Sequence, residues 1–359
     1  MPCCFRPMLY ESQNPHGGDI YDGGCVLDFS ANVNPFGAPE EVVRAYLDAA
    51  NVLHLYPDPY CRKLTEAIAA FEGVPREYVL CGAGAAELIY AFAHAVRPGR
   101  FAELAPTFAE YSLPLAGSRR TAYALSEADG FAAGRGLIRF IESARPEAFF
   151  LCDPNNPTGR AMDPETKLCL LDACTRTGTL LFADECFMDL SDAGASLKPQ
   201  LSRYENLIIL KAFTKSFGMA GLRLGYVLSG NRALMRAVSR QTQPWNVSAP
   251  AQCAGCAALG CGDFLEKTRA LIRTERPKLA LGLERAGLKT YPSNVNFLLL
   301  RGGRDLGTAL ESRGVRLRSC ANFDGLGPGF FRTAVRLPNE NERLIKAVTS
   351  IPEVCLKWQ

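Results

Sequence analysis

The chain has 359 residues, a length that suggests two domains at about 150 residues each. Hydrophobic residues make up 48% and charged residues 21%, which excludes a mostly disordered chain. The 40 Lys and Arg residues outnumber the Asp and Glu residues by only three and are scattered, so neither a nucleic-acid partner nor a polybasic membrane anchor is expected, and no apolar run approaches the ~18 residues of a membrane-spanning helix. Residues 1–37 are rich in Gly, Pro and Asn and read as an extended arm without a secretory signal. Beyond the arm, short apolar runs at 78–81, 100–104, 121–125, 148–152, 179–183, 206–210 and 224–228 read as strands buried on both faces. Helical patterns lie between most of them, as at 85–96 and 164–175. This alternation predicts an α/β fold, a mostly parallel sheet with helices on both faces. A long helical region follows at 249–286. After it come a strand at 295–300, a helix at 305–312, short strands at 315–318 and 331–335, and a last helix from 338. The division is then an arm (1–37), a large domain (38–248) and a smaller α+β domain (249–359), with Gln243-Pro244-Trp245-Asn246 as a plausible hinge.

The chain has 14 cysteines, too many residues for a small disulfide scaffold, and is expected to keep its thiols reduced in the cytoplasm. Cys253, Cys256 and Cys261 lack a second ligand pair at metal-site spacing, and the histidines lie far upstream. The segment AQCAGCAALG therefore reads as small residues on a tightly packed helix, with no metal.

Four motifs carry chemistry. In CGAGAAELIYAF, a Gly-rich turn between strand and helix lets Gly82 and Gly84 bend the backbone, and the free N–H groups at the helix start favour an anion such as a single phosphate; a plain turn reads equally from these residues, and the third glycine of a dinucleotide fingerprint is replaced by Glu87. Asp153-Pro154-Asn155-Asn156-Pro157-Thr158-Gly159 follows a strand, where α/β sheets place ligands, although turn chemistry alone accounts for it as well. The apolar run at 179–183 ends in Asp184-Glu185; a carboxylate there caps a loop or faces a protonated ring nitrogen. Finally, Thr214-Lys215 is followed by Gly221-Leu222-Arg223-Leu224-Gly225-Tyr226 in apolar, Gly-rich surroundings that do not suit a solvated face. A lysine there can form a Schiff base, and a hydroxyl with an arginine suits a dianionic phosphate.

In this order and spacing the set resembles pyridoxal-phosphate enzymes of the aspartate aminotransferase fold. Over nearly the whole chain it is more closely similar to the threonine-phosphate decarboxylases of cobalamin biosynthesis, themselves similar to histidinol-phosphate aminotransferases. The residues that carry this are His16-Gly17-Gly18, the run from Leu27 to Pro35, Tyr56-Pro57-Asp58, the run from Pro106 to Tyr111, Gln243-Pro244-Trp245, and Arg318 to Asn322 leading to Phe331-Arg332 and Arg336.

The resemblance implies pyridoxal 5'-phosphate as cofactor, carried by Lys215. It implies Asp184 at the ring nitrogen, Asn156 at the ring oxygen and Phe108 stacked on the ring. The cofactor phosphate falls to Thr214, Arg223, the turn at Gly84 with the N–H groups of Ala85 and Ala86, and Tyr56 from the partner subunit of a homodimer with shared sites. The implied substrate is a phosphorylated amino acid. Arg332 is implied as the clamp on its α-carboxylate, and His16, Gly17, Asn32, Asn156 and Arg318 as its surroundings. Arg336 is left between a ligand and a surface charge. Phe187 departs from a Tyr that aminotransferases often carry, which favours decarboxylation. The implied reaction converts L-threonine O-3-phosphate to (R)-1-amino-2-propanol O-2-phosphate. A histidinol-phosphate-type aminotransferase and a serine-phosphate decarboxylase are the alternatives.

Overall fold

The computed structural model describes residues 16–21 and 27–357. A seven-stranded sheet forms its largest layer, in the order Val79–Gly82, Gly225–Leu228, Leu207–Ala212, Leu180–Asp184, Ala148–Cys152, Arg100–Ala105 and Arg119–Ala124. Gly225–Leu228 runs antiparallel to both of its neighbours, and the other strands run parallel to one another. The sequence pattern predicts each of these strands, within two residues at most ends. Ala148–Cys152 and Leu207–Ala212 are buried at every position, which is why they read as continuous apolar runs rather than alternating ones.

This topology gathers chemistry at one edge. The parallel strands deliver Gly84, Phe108, Asn156, Asp184 and Lys215 just beyond, or at, their C-terminal ends. The antiparallel strand begins at that same edge, so Arg223 enters it from the other direction. The register sets Cys152 beside Asp184 and Asp184 beside Leu210.

A second sheet is antiparallel, in the order Arg318–Ser319, Phe330–Ala334, Phe297–Arg301 and Lys289–Thr290. It packs with the helices Phe264–Arg285, Leu306–Glu311 and Pro338–Thr349 around an apolar cluster that includes Leu279, Leu298, Leu306 and Leu344. Two segments pack differently from the division expected at residues 37 and 249. Leu27–Asp28 pairs in parallel with Val315–Arg316, and Phe29 sits in the small layer's core. The helix Ala249–Leu259 shares the large layer's core through Ala251, Ala254 and Ala258. The expected strand at 315–318 is likewise split between two sheets.

On Ala249–Leu259 the close packing comes from Ala and Gly. A Cβ at Gly255 would lie 2.5 Å from Leu224 Cδ2. Cys253 is exposed, and Cys256 and Cys261 are half-buried. No helix among the described residues is long and apolar enough to cross a membrane.

Candidate active site

Two lysines four residues apart lie in opposite environments. Lys211 ends the strand Leu207–Ala212, with Nζ 2.8 Å from Glu72 Oε1 and 2.6 Å from Asp189 Oδ1. Burial alone would lower its ammonium, but Asp189 and Glu72 hold it well above the ordinary lysine value. Tyr226 donates to the same Glu72 at 2.5 Å, so this is a buried structural network. Lys215 lies on the helical turn Phe213–Ser216 and is half-buried. Desolvation, followed by the nearby Arg332 and Arg223 guanidiniums, pushes its ammonium down to about 8. Only Lys215 is therefore available as an amine near neutral pH.

Arg223 closes one side. Gly84, with φ +89° and ψ 171°, precedes the helix Ala85–Val96, whose start no side chain caps. A Cβ on Gly84 would lie 2.9 Å from Arg223 Nη2, so the guanidinium and the open helix N-terminus share one small space. Backbone donors and a cation converging this way suit an anion. Gly84→Ala would combine that clash with a backbone conformation nearly restricted to glycine. It is expected to destabilise the fold by about 1–3 kcal/mol, read as a lower denaturation midpoint.

Asp184 is buried at the end of its strand. Its Oδ1 accepts from the Cys186 N–H at 3.0 Å and its Oδ2 from the Tyr111 hydroxyl at 2.6 Å. Burial pushes the carboxyl up, and the Cys186 and Tyr111 hydrogen bonds oppose that. Phe108 flanks the same spot, meeting Tyr111 edge-on and His16 at a tilt. His16 Nε2 lies 2.5 Å from Glu110 Oε1.

Arg332 occupies the small layer's face. It donates to Asn156 Oδ1 at 2.5 Å and to the Ser30 carbonyl at 2.8 Å, while its buried Nε has no hydrogen-bond partner. Asn156 thus commits its oxygen to Arg332, which leaves its NH2 as the donor side. Burial, then Arg318 among the neighbouring charges, pushes the Arg332 guanidinium down to about 10. Arg318 stands opposite Arg332 in the antiparallel register. It lies over the Phe323 ring and donates to Asn322 Oδ1 at 2.8 Å. Asn32 is 1% exposed, and neither polar atom of its side chain is hydrogen-bonded. Gly17 packs on Ser30 so closely that a Cβ would lie 2.3 Å from the Ser30 oxygen, and the Gly18 N–H donates to Ser30 Oγ at 2.8 Å. One serine therefore joins the His16 segment to Arg332.

The structure thus brings Gly84, Phe108, Asn156, Asp184, Lys215, Arg223 and Arg332 to one edge, with Ala85 and Ala86 at the helix start. Thr214 adjoins Lys215 on the same turn. Tyr56 stands apart, 79% exposed and stacked on Trp245 at 4.7 Å. Arg336 binds Glu340 and the Asp28 carbonyl, so it pins the first strand rather than facing the site. Phe187 is buried edge-on against Phe297. Sequence reasoning gave no role to Tyr111 or Ser30. Tyr111 lies three residues after Phe108, but only the fold shows that its hydroxyl reaches Asp184.

The family description "aminotransferase class I and II" matches residues 25–348. The chain belongs to this family. It is 35% identical to the threonine-phosphate decarboxylase of Salmonella typhimurium, over 94% of this chain and 96% of that enzyme. It is also 35% identical to the histidinol-phosphate aminotransferase of Anaeromyxobacter sp., over 92% of each chain. The crystal structure of L-threonine-O-3-phosphate decarboxylase from Porphyromonas gingivalis superposes with a TM-score of 0.80 at 26% identity, covering 89% of this chain and 98% of that one. As a member of this aminotransferase family the chain is an enzyme, and its mixed, mostly parallel sheet is the family's fold.

Proposed function

We propose that this enzyme binds pyridoxal 5'-phosphate and decarboxylates L-threonine O-3-phosphate to (R)-1-amino-2-propanol O-2-phosphate, as a cytoplasmic homodimer serving cobalamin biosynthesis. The observation that carries the substrate reading is the Arg318–Arg332 pair in register on adjacent strands. Like charges directly opposite one another destabilise a sheet. A small molecule with a carboxylate and a phosphate on neighbouring carbons offers one anion to each guanidinium. Similarity to the Salmonella enzyme supports the same reading. The equal identity to a histidinol-phosphate aminotransferase favours transamination as the second reading.

The residues fit the cofactor. Lys215 lacks a carboxylate partner among the described residues, Asp184 is a buried carboxylate facing no cation, and Gly84 leaves room beside Arg223. When bound, pyridoxal phosphate supplies an aromatic ring that takes up the electron pair of a bond broken at the substrate α-carbon. Asp184 would hold the ring nitrogen's proton, Asn156 would donate to the ring oxygen, and Phe108 would cover a face. Thr214, Arg223 and the N–H groups of Ala85 and Ala86 would hold the phosphate, with Tyr56 contributed by the partner subunit. The exposed Tyr56, Leu53, Leu55 and Tyr60 suit such a subunit contact. Arg332 would clamp the substrate carboxylate. Lys215 Nζ would return a proton to the α-carbon after carbon dioxide leaves.

Reaction choice would depend on how the bound substrate is turned about its α-carbon. With the carboxylate on Arg332, a grip on the substrate phosphate by His16, Asn32 and Arg318, alongside Gly17, would fix that rotation and so select the bond to the carboxylate. This turns remote binding into orientation of the reacting bond. Arg318→Ala and loss of the His16 segment are expected to lower carbon dioxide release and raise conversion of the cofactor to its amine form. A wild-type ratio of the two outcomes in both variants would refute the grip. The overall reading is tested by mass spectrometry of products from phosphothreonine, phosphoserine, and histidinol phosphate with 2-oxoglutarate. Aminopropanol phosphate from the first supports it; a 2-oxoglutarate-dependent product from histidinol phosphate alone defeats it.

A further inference from the structure

We infer that Tyr111 is a positioning residue that fixes the Asp184 carboxylate as an anion toward the cofactor ring and, through the same side chain, sets the angle of Phe108. The inference rests on the cofactor reading above. Tyr111 is fully buried, at 0% exposure. Its ring lies nearly parallel to Phe150, with centroids 5.3 Å apart and planes at 17°. Its edge meets Phe108 at 5.6 Å and 79°. Its hydroxyl donates to Asp184 Oδ2 at 2.6 Å. One rigid side chain therefore touches both the residue assigned to the ring nitrogen and the residue assigned to the ring face.

The surroundings of Asp184 leave its charge to a few neutral donors, of which Tyr111 is one. The groups facing the carboxylate are Tyr111, the Cys186 N–H and thiol, and the Cys152 thiol from the adjacent strand. All are neutral. Without a positive neighbour, a buried carboxylate stays ionised through its hydrogen bonds. Oδ1 already has the Cys186 N–H. Oδ2 takes the Tyr111 hydroxyl, and the Cys186 thiol is a further donor to the carboxylate. Burial and the adjacent Asp184 push the Tyr111 phenol itself well above its ordinary value, so it remains a protonated donor and not a base.

Tyr111→Phe keeps the contacts to Phe150 and Phe108 and deletes only the O–H. Asp184 then takes up a proton more readily, and a protonated Asp184 no longer supports a charged ring nitrogen. The test titrates pyridoxal phosphate, by the visible absorbance of the bound cofactor, into wild type, Tyr111→Phe, Asp184→Asn and the double variant. The pH profile of kcat is measured for wild type and Tyr111→Phe. The expected results for Tyr111→Phe are about tenfold weaker cofactor binding, an acid limb of kcat moved to higher pH, and an unchanged substrate KM. In the Asp184→Asn background, Tyr111→Phe is expected to weaken binding no further. Three outcomes overturn the inference: wild-type affinity and acid limb in Tyr111→Phe, a lower melting temperature with both unmoved, or full additivity in the double variant. Failure of wild type to bind pyridoxal phosphate would overturn the cofactor reading itself, and this inference with it.

Discussion

Lys215→Ala abolishes covalent retention of pyridoxal phosphate and lowers turnover by about 10²–10⁴-fold or more, with the fold intact; this is the largest catalytic effect expected. The reason is the contrast between two neighbouring lysines. Lys215 has no carboxylate partner among the described residues, and its ammonium sits at about 8 through burial and the two arginines. Losing the one amine poised to act as nucleophile and proton carrier removes effects of that size. Lys211→Ala should behave in the opposite way. It takes the cation from Asp189 and leaves Glu72 only the half-buried Lys198, and breaking a buried ion pair from one side costs about 3–5 kcal/mol. Borohydride reduction followed by peptide mapping reads the first effect, and denaturant midpoints read the second. A label on Lys211 would reverse the assignment.

Arg332→Ala comes next. The expected result is a fall in turnover of phosphothreonine corresponding to about 2–5 kcal/mol, far beyond any loss of cofactor affinity. Arg332 is 7% exposed, with one buried nitrogen still lacking a partner, so an arriving carboxylate meets a donor with nothing better to bind. Removing the guanidinium also frees Asn156 Oδ1, and some cofactor affinity goes with it. Parallel losses of cofactor and substrate binding would instead mark Arg332 as a strut between the two layers.

Most of the large sheet is legible in the sequence because its strands are buried on both faces, and continuous apolar runs such as AFFLC leave little choice of structure. The site residues supplied by loops after those strands are legible for a related reason: a lysine, a carboxylate and an amide stand where apolar runs end. Contacts across the chain are not legible. Nothing local says that Arg318 and Arg332 share a register, that Arg336 pins Asp28, or that Ser30 links the His16 segment to Arg332. The first comes from the two-residue strand Arg318–Ser319 pairing with Phe330–Ala334, and the others accompany Leu27–Asp28 pairing with Val315–Arg316, short segments without periodicity of their own. The packing of the helix Ala249–Leu259 is hidden for a similar reason, since it meets the large layer's core through alanines and a glycine.

On this reading of the function, a second anionic group on the substrate orients the bond that breaks. The most direct measurement is kcat/KM for carbon dioxide release from L-threonine O-3-phosphate and from L-threonine, with the same holoenzyme. A site that places charged and polar donors on the substrate phosphate rejects the analogue that leaves them unpaired, so the phosphorylated substrate is expected to be favoured by about 10³-fold or more. Equal values for the two would contradict the account.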